Sequence, residues 1–357
     1  MKTTQVTKKL DFNGDPIYVG LDVHKKQWNV SIMSDLLTHK NFTQPPDAKK
    51  LSRYLKENFP NATYYSVYEA GFCGFWIHDA LIEEGINNMV VSPADVPTTD
   101  KEKRQKRDQA DSNKLCRGLR EKSLRAIYVP SRDQLEDRQA VRLRKTLVKE
   151  ITRCKNRIKG LLNFYGMNLP EEFDKPYWSK AFTSWLNTLE LSQPSGTFSL
   201  TTLLDQFKNH QQLIKPMERH LIGIARQKYS AQISLLRSIP GIGITGALTF
   251  ITELMDIRRF RHLDQLCSYV GLIPNIYSSG ETEHVGNMTH RKNPFLQPVL
   301  IQCAWKAVKR DPALMKAYQD YCKRMKGNRA IIRIARKLLN RIRYVLINQK
   351  QYELKTV

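Results

Sequence analysis

Four carboxylates in the N-terminal third of the chain have the types and spacing of a divalent-metal site. Asp22 lies near the end of an otherwise apolar segment, and Glu69 ends a second segment rich in aromatic residues. Asp108 and Asp111 are three residues apart, which places them on one face of a helix. A buried acid is unfavourable unless it is paired or binds a cation, so Asp22 needs a partner.

If the four acids converge, their mutual repulsion requires a neutralising charge. Hard divalent cations prefer oxygen ligands, and paired metals catalyse in-line phosphodiester displacement. Each acid alone also has a simpler explanation. Asp108 and Asp111 lie among Lys and Arg residues that could pair with them, and Glu69 could be a surface residue at a strand end. The joint arrangement is more specific than any of its members.

The elements that would position these acids form a mixed sheet. Residues 17–33 are predicted to form a hairpin with a turn at 24–26, and a third strand follows near 40–43. The pattern then predicts alternating helices and strands over residues 48–58, 64–69, 72–84 and 88–91. A hairpin followed by βαβ units gives a sheet with helices on its faces and puts functional residues at the carboxyl ends of strands. Asp22 and Glu69 are expected on neighbouring strands.

The charge balance predicts a polyanionic partner. The chain has 58 Lys and Arg against 34 Asp and Glu, a net charge of +24. Nucleic acid is the simplest such partner, and an anionic membrane surface is the alternative. We find no apolar run near the roughly 18 residues of a spanning helix and no signal-peptide core, so we expect a cytoplasmic protein with no membrane partner. The scattered cysteines favour a reducing compartment and disfavour a zinc site.

The middle of the chain is predicted to be a helical pair. Apolar residues recur at three- and four-residue spacing over 133–165, among many bases, and again over 201–230, so we expect two antiparallel helices. Between them we expect an irregular or short-helical insertion over 166–194 and a Gly/Ser-containing link over 195–200. The basic face could follow a phosphate backbone or be the solvated face of a coiled coil.

Three features of the C-terminal part suggest contact with nucleic acid. Residues 239–243, Ile-Pro-Gly-Ile-Gly, have the form of a helix-hairpin-helix turn, in which Gly241 and Gly243 would let a phosphate approach; a tight helix–helix turn is the alternative. After a helix over 260–270, we expect an irregular stretch over 271–280, where Ser279 could be a nucleophile, although such a loop usually has no chemistry. Residues 323–343 carry nine bases and no acid in helical spacing.

Together these motifs resemble the IS110 family of transposases from bacterial insertion sequences, the DEDD serine recombinases. The resemblance covers nearly the whole chain, and the order and spacing of the motifs make it specific. It is carried by Tyr18–Lys25, Tyr68–Ala70, Lys106–Asp111, Ile239–Gly243, and Gly271–Pro274 followed by Ser278–Gly280.

The resemblance implies an α/β plus α fold in three parts. Residues 15–128 would form a RuvC-like RNase H-fold domain that contains the four acids. Residues 129–230 would form a helical coiled coil. Residues 231–346 would form a mainly α-helical transposase domain with the helix-hairpin-helix-like motif and the serine.

The resemblance also implies the chemistry and the partners. Asp22, Glu69, Asp108 and Asp111 would hold Mg²⁺, or Mn²⁺. Ser279, with Ser278 as the second choice, would attack DNA and form a covalent phosphoserine intermediate. A structured guide RNA, the bridge RNA, would pair with double-stranded donor and target DNA. A tetramer assembled from dimers would share each active site between two protomers and associate with the nucleoid when active.

Two positions depart from the family pattern. Ser112 follows the second helical acid where the family usually has Ala, and Gln297 stands where Arg is usual, which puts a phosphate contact there in doubt. Two other functions are also open. The chain could be a RuvC-type metal endonuclease on branched DNA without serine chemistry, or a non-enzymatic nucleic-acid-binding protein whose acids pair with nearby bases.

Overall fold

The computed structural model describes residues 12–97, 108–173, 175, 177–279, 282–289 and 292–354. Within these ranges, the side chains of residues 108, 109, 275–279 and 282–287 lie outside the description. The chain divides into two compact units, with the boundary in the sequence between Val129 and Pro130. The further boundary at residue 230 stays a prediction.

The N-terminal unit is built on a five-stranded sheet with the order β3-β2-β1-β4-β5. Strands β1, β2 and β3 are antiparallel neighbours, whereas β1–β4 and β4–β5 are parallel. The strands span Pro16–Val23, Trp28–Met33, Thr38–Gln44, Thr63–Glu69 and Asn87–Val91. The predicted mixed sheet is therefore confirmed.

Helices cover both faces of this sheet. Helices α1 (Ala48–Asn58) and α2 (Trp76–Glu83) pack on one face, which includes Ile17, Val19 and Leu21 of β1. Helix α3 (Asp108–Arg120) packs on the other face, where Leu115, Cys116 and Leu119 contact Tyr18 and Val67. Residues of β1 alternate between these two cores because successive strand residues point to opposite faces. The even-numbered residues of β1 therefore belong to the face that α3 covers.

The C-terminal unit begins with two long helices packed against each other. Helix α4 spans Arg132–Phe164, the short helix α5 spans Lys180–Thr188, and α6 spans Pro194–Gln227. Asp137 of α4 contacts Lys228, at the end of α6, whereas Arg144 contacts Glu218. Residue numbers rise along one helix as they fall along the other, which confirms the predicted antiparallel pair.

The predicted link over residues 195–200 is wrong, because these residues form the first turns of α6. Pro194 occupies the start of the helix, where its missing N–H is tolerated. The Gly and Ser residues suggested a link, but the Ser199 hydroxyl bonds to the helix itself, because its Oγ donates to Ser195 O at 2.8 Å. In the next turn, Thr201 Oγ1 donates to Thr197 O at 2.9 Å in the same way.

The rest of this unit is a helical bundle with one small hairpin. The helices are α7 (Ser230–Arg237), α8 (Ile244–Leu254), α9 (Leu263–Val270), α10 (Leu296–Val308), α11 (Pro312–Cys322) and α12 (Gly327–Asn348). Apolar residues of α12 lie in the centre of the core, among them Ile334, Leu338 and Ile342, each fully buried. Among the described helices, none is both long enough and apolar enough to cross a membrane.

The predicted irregular stretch over 271–280 is also wrong for most of its length. Residues Pro274–Ser279 form strand β6, which pairs in antiparallel fashion with β7 (Thr282–Met288). The pairing partner follows within a few residues in the chain, but β7 has too little apolar alternation for it to be predicted from the sequence alone.

Candidate active site

Strand pairing brings two of the predicted acids to the same edge of the N-terminal sheet. Strands β1 and β4 are parallel, and their register pairs Leu21 with Tyr68. Asp22 and Glu69 are the next residues on the two strands, so they lie side by side at the carboxyl ends. Asp22 lies two residues after Gly20, and Glu69 lies two residues after Val67. Residues two apart on a strand point to the same face, so both acids belong to the face that α3 covers. The expectation that these strands are neighbours is confirmed.

Helix α3 approaches this edge unusually closely, and Gly20 makes the approach feasible. A Cβ atom at Gly20 would lie 2.0 Å from the carbonyl oxygen of Ser112 and 2.5 Å from the backbone nitrogen of Cys116. The thiol of Cys116 also donates to Tyr18 O at 3.2 Å. Asp111 directly precedes Ser112, so the backbone of α3 that carries this acid is held against β1, two residues before Asp22.

The position of Ser112 explains how this chain accommodates a hydroxyl where Ala is usual. Ser112 is buried on the sheet-facing side of α3, and its Oγ lies 2.7 Å from Ser31 Oγ of β2. Ser31 is also fully buried. Each hydroxyl therefore gives the other a partner, which removes the penalty of burying a polar group alone.

Asp22 has two partners that the sequence analysis missed. His24 Nε2 lies 3.0 Å from Asp22 Oδ2, and Asn29 Nδ2 donates to the same oxygen at 3.4 Å. Asn29 is itself oriented by Thr43, whose Oγ1 donates to Asn29 Oδ1 at 2.9 Å. The hairpin register pairs Asp22 with Asn29, so counting outward from the predicted turn could have found Asn29. Both partners fix the orientation of the Asp22 carboxylate.

The residue types at this edge suit a hard divalent cation, because carboxylate oxygens are its preferred ligands. Among the described side chains, no three His, Cys, Asp or Glu residues are arranged as a metal site. Asp108 is the first residue of α3, but its side chain lies outside the described part of the chain. The structure thus brings Asp22, Glu69 and the start of α3 to one region, and the four-carboxylate metal site stays a prediction.

The two candidate serines lie at the end of β6. In the backbone register, Ser278 pairs with Glu283 and Ser279 pairs with Thr282, next to the turn of the hairpin. Their side chains lie outside the described part of the chain, and so does Gly280. The two candidate serines are therefore located in the fold only by their backbone positions, at the C-terminal end of β6.

The base of this hairpin is fixed by hydrogen bonds to the bundle. Thr289 N donates to Ile273 O at 3.0 Å and joins its two ends. Gln297 is buried, where its Nε2 donates to Gly271 O at 2.7 Å and its Oε1 accepts from Lys292 Nζ at 2.7 Å. Gln297 thus bonds to the chain itself in this structure, consistent with the doubt about a phosphate contact there.

A buried carboxylate ties this region to the long helices. Glu253 of α8 is fully buried, and it accepts from Arg142 Nε at 2.6 Å and from Arg142 Nη2 at 2.8 Å. Asn293 Nδ2 donates to the same carboxylate at 2.8 Å, while Asn293 Oδ1 accepts from the first backbone amides near α10. The bond to Glu253 raises the pKa of Arg142. In the sequence, the feature that could have indicated a buried ion pair is Glu253, an acid inside the apolar segment that forms α8.

A short turn joins α7 to α8, as both the helix-hairpin-helix interpretation and the simple helix–helix turn require, and its two glycines have different roles. Gly241 has a φ of +92°, and a Cβ atom there would lie 2.6 Å from Cys303 O of α10. Gly241 therefore serves the packing of the turn against α10. Gly243 has open space around its Cα, as expected for a backbone that a phosphate could approach.

The basic helix predicted over 323–343 corresponds largely to α12, and several of its bases contact protein. Arg336 pairs with Asp264 at 2.5 Å, Arg341 pairs with buried Asp311, and Arg343 Nη2 donates to Arg261 O at 2.9 Å. These three arginines hold α12 in the bundle. Any phosphate contact on this helix would therefore depend on its other bases.

Two family models match the chain in separate ranges. The model of a DEDD transposase of the IS110 type matches residues 19–167, and the model "Transposase IS116/IS110/IS902 family" matches residues 233–319. The first range includes the edge with Asp22, Glu69 and α3. The second includes the turn at 239–243 and the serine hairpin. Together they cover well over half of the chain.

Similar proteins carry transposase names. The candidate transposase y4rJ of Sinorhizobium fredii is 28% identical over 361 residues, covering 90% of each chain. The candidate transposase y4qE of the same organism is 28% identical over 68% of this chain and 58% of its own length. The transposase for insertion sequence element IS1111A of Coxiella burnetii is 28% identical over 62% of this chain and 59% of its own. The protein described here belongs to the IS116/IS110/IS902 family of DNA transposases.

Proposed function

We propose that this transposase moves DNA by RNA-guided strand cleavage and exchange through a covalent serine intermediate. The observation that carries the proposal is the placement of Asp22 and Glu69 on adjacent parallel strands beneath α3, the helix that starts at Asp108. This is the edge at which an open sheet of this kind carries its functional residues. The family match supports the reaction class, and the serine is assigned from the resemblance.

Asp22, Glu69, Asp108 and Asp111 would hold Mg²⁺ or Mn²⁺. When bound, such a cation lowers the barrier to phosphoryl transfer by stabilising negative charge that develops on the phosphate oxygens. The contribution of the chain is to orient the carboxylates. Asn29 and His24 fix Asp22, and the close contact of α3 with Gly20 fixes the backbone of the helical acids.

Ser279 would supply the nucleophile, with Ser278 as the second choice. Its hydroxyl loses a proton, its Oγ forms a bond to the scissile phosphorus, and the phosphodiester bond to the leaving DNA oxygen breaks as that oxygen takes a proton. A hydroxyl of the recipient strand then attacks the phosphoserine and releases the serine. The phosphodiester count is conserved, so strand exchange needs no external energy source.

A covalent adduct that survives denaturation distinguishes this mechanism from hydrolysis. We expect the adduct with wild-type protein, its loss in Ser279→Ala, and its retention in Ser278→Ala. Loss only in Ser278→Ala would move the nucleophile by one residue. If DNA cleavage persists without an adduct in the Ser278→Ala/Ser279→Ala double variant, the RuvC-type endonuclease alternative is the better account.

The active site would be shared between protomers of a tetramer. Mixing Asp22→Asn protein with Ser279→Ala protein tests this directly, because each variant keeps the half that the other lacks. We expect the mixture to recover part of the wild-type recombination, while each variant alone is inactive. A mixture as inactive as its components would place both halves on one chain.

The guide would be a structured RNA that pairs with double-stranded donor and target DNA, which leaves the protein to bind backbones through its excess of positive charge. The test is to sequence the RNA that copurifies with the protein from its native host. We expect one abundant species with segments complementary to the donor and target sites. Copurifying RNA without such complementarity would contradict guidance.

A further inference from the structure

A strongly basic groove in the C-terminal unit shares no lining residue with the predicted carboxylate site or with the serine hairpin. It has a volume of about 1140 Å³ and is walled by α4, by the turn between α7 and α8, and by α10. Seven Lys and Arg side chains line it, and its lining includes no Asp or Glu. All of these lining residues belong to the same compact unit.

The positive charges lie on opposing walls. Arg144, Lys145 and Lys149 lie on α4, whereas Lys306, Lys309 and Arg310 lie on and just after α10. Glu218 compensates Arg144, which it contacts at 2.6 Å. Among the described residues, no ion pair joins an acid to Lys149, Lys306, Lys309 or Arg310. The groove therefore concentrates positive charge that the chain itself does not neutralise.

The floor of the groove offers backbone donors as well. Residues 239–246 line it, including Gly243, the residue before α8. No side chain caps the start of α8, and the Cα of Gly243 has open space around it. The exposed amides at a helix start and the positive end of its dipole favour a phosphate. The amides at the start of α8 and the opposing rows of cations therefore favour the same ligand group, a phosphate.

The groove offers little for an unpaired strand. Proteins that bind single strands stack bases on aromatic rings. Among the lining residues, Phe295 is the only aromatic one, and its ring is already in contact with Arg142 at 4.4 Å and with Lys145 at 4.6 Å from its centroid. The groove combines cations and backbone donors with an aromatic ring that is already covered. This combination suits the phosphate backbone of a duplex, in which the bases remain paired.

We propose that this groove binds the backbone of double-stranded DNA without reading its sequence, and so holds the duplex that the transposase recombines. Binding would depend on the cations of both walls and on the amides at the start of α8. It requires neither the metal nor the serine of the proposed mechanism. An experiment that disproves duplex binding in this groove would therefore leave the proposed mechanism untouched, and the reverse also holds.

The test is duplex binding by the full chain in the presence of EDTA. The variant Lys306→Ala/Lys309→Ala/Arg310→Ala removes three charges from one wall. The control Lys49→Ala/Lys50→Ala/Lys56→Ala removes three exposed charges of α1 that do not line the groove. Both variants have the same net charge, so a difference between them reports position. Circular dichroism melting verifies that both remain folded.

Affinity for a labelled duplex of mixed sequence is measured over a range of salt concentrations. Each neutralised phosphate contributes about −0.9 to the slope of log affinity against log salt. We expect the slope of the groove variant to be less steep than that of the wild type by about 2 to 3, and the control to keep the wild-type slope. Equal slopes for the two variants would overturn the proposal.

Two further probes decide the class of nucleic acid. Single-stranded DNA and duplex RNA are titrated against the same variants. The proposal predicts that the groove variant loses most affinity for duplex DNA. A loss confined to single-stranded DNA or to RNA would overturn the assignment of duplex DNA. Gly243→Asp places a carboxylate at the N-cap of α8, where Asp is a favourable residue, and is expected to weaken duplex binding without lowering the melting temperature.

Discussion

At the scale of single residues, the candidate carboxylate site depends on small side chains as much as on acids. Gly20 lets α3 lie directly on β1, and Ser31 and Ser112 satisfy each other within that contact. Burial raises the pKa of the Cys116 thiol to about 12, which keeps it a neutral packing residue in this interface. A change of a few atoms here would displace the helix that starts at Asp108.

Replacing Gly20 with Ala should lower the free energy of unfolding by about 3 kcal/mol or more, because the new Cβ would overlap the backbone of α3. Urea denaturation followed by circular dichroism measures the change. The matched control is Gly160→Ala on α4, where nothing lies within 4 Å of the new atom. That substitution should raise stability by about 0.5–1 kcal/mol. Similar effects of the two substitutions would contradict the close contact.

The serine pair predicts a non-additive double mutant. Ser112→Ala removes the hydroxyl beside fully buried Ser31, so it should cost about 1–3 kcal/mol. In Ser31→Ala/Ser112→Ala both polar groups are gone, and the total cost should be well below the sum of the single changes. Denaturant unfolding of all four proteins provides the cycle. Strictly additive costs would show that the two hydroxyls do not interact.

At the scale of elements, the strands that carry Asp22 and Glu69 were easier to predict than several elements of the C-terminal unit. Asp22 and Glu69 stood out because each ends a segment with clear strand character, and parallel pairing of β1 with β4 follows from the intervening helix. The start of α6 was mistaken for a link because Gly and Ser usually favour turns, yet the Ser199 hydroxyl bonds within the helix. Hairpin β6–β7 depends on pairing between strands, which local composition does not reveal.

Glu253 connects α8, α4 and the segment after the serine hairpin, and its charge is central to that connection. Glu253→Gln should lower stability by about 3–5 kcal/mol, because it leaves Arg142 without its buried counter-charge. Glu218→Gln is the matched control, since Glu218 also pairs with an arginine of α4 but is 44% exposed. Its cost should stay below about 1 kcal/mol. Thermal melting of both variants measures the difference, and equal shifts would contradict the central role of Glu253.

At the scale of the whole molecule, the chain combines two units with different roles. The N-terminal unit carries the candidate carboxylates, and the C-terminal unit carries the candidate serine and the basic groove. Net charge and motif order were sufficient to predict the class of partner and the family. The groove itself could not be predicted, because it requires α4 and α10, which are more than 130 residues apart, to face each other.

Metal binding should stabilise the N-terminal unit. A ligand that binds only the folded state adds about 2.7 kcal/mol when its concentration is about 100-fold above Kd. We therefore expect Mn²⁺ to raise the melting temperature of the wild-type protein, but not that of Asp22→Asn. Glu57→Gln, an exposed acid on α1, should retain the shift. Equal shifts in Asp22→Asn and wild type would show that Asp22 is not a ligand.

The most direct measurement of the proposed chemistry is mass spectrometry of the protein–DNA adduct. Wild-type protein is incubated with donor DNA, its copurified RNA and Mg²⁺, then denatured and digested. We predict a nucleotide phosphate attached to the peptide that contains Ser278 and Ser279, with Ser279 as the modified residue. The same peptide should be unmodified in EDTA and in Asp22→Asn. Recombination without any adduct, or an adduct on a residue outside this hairpin, would contradict the account.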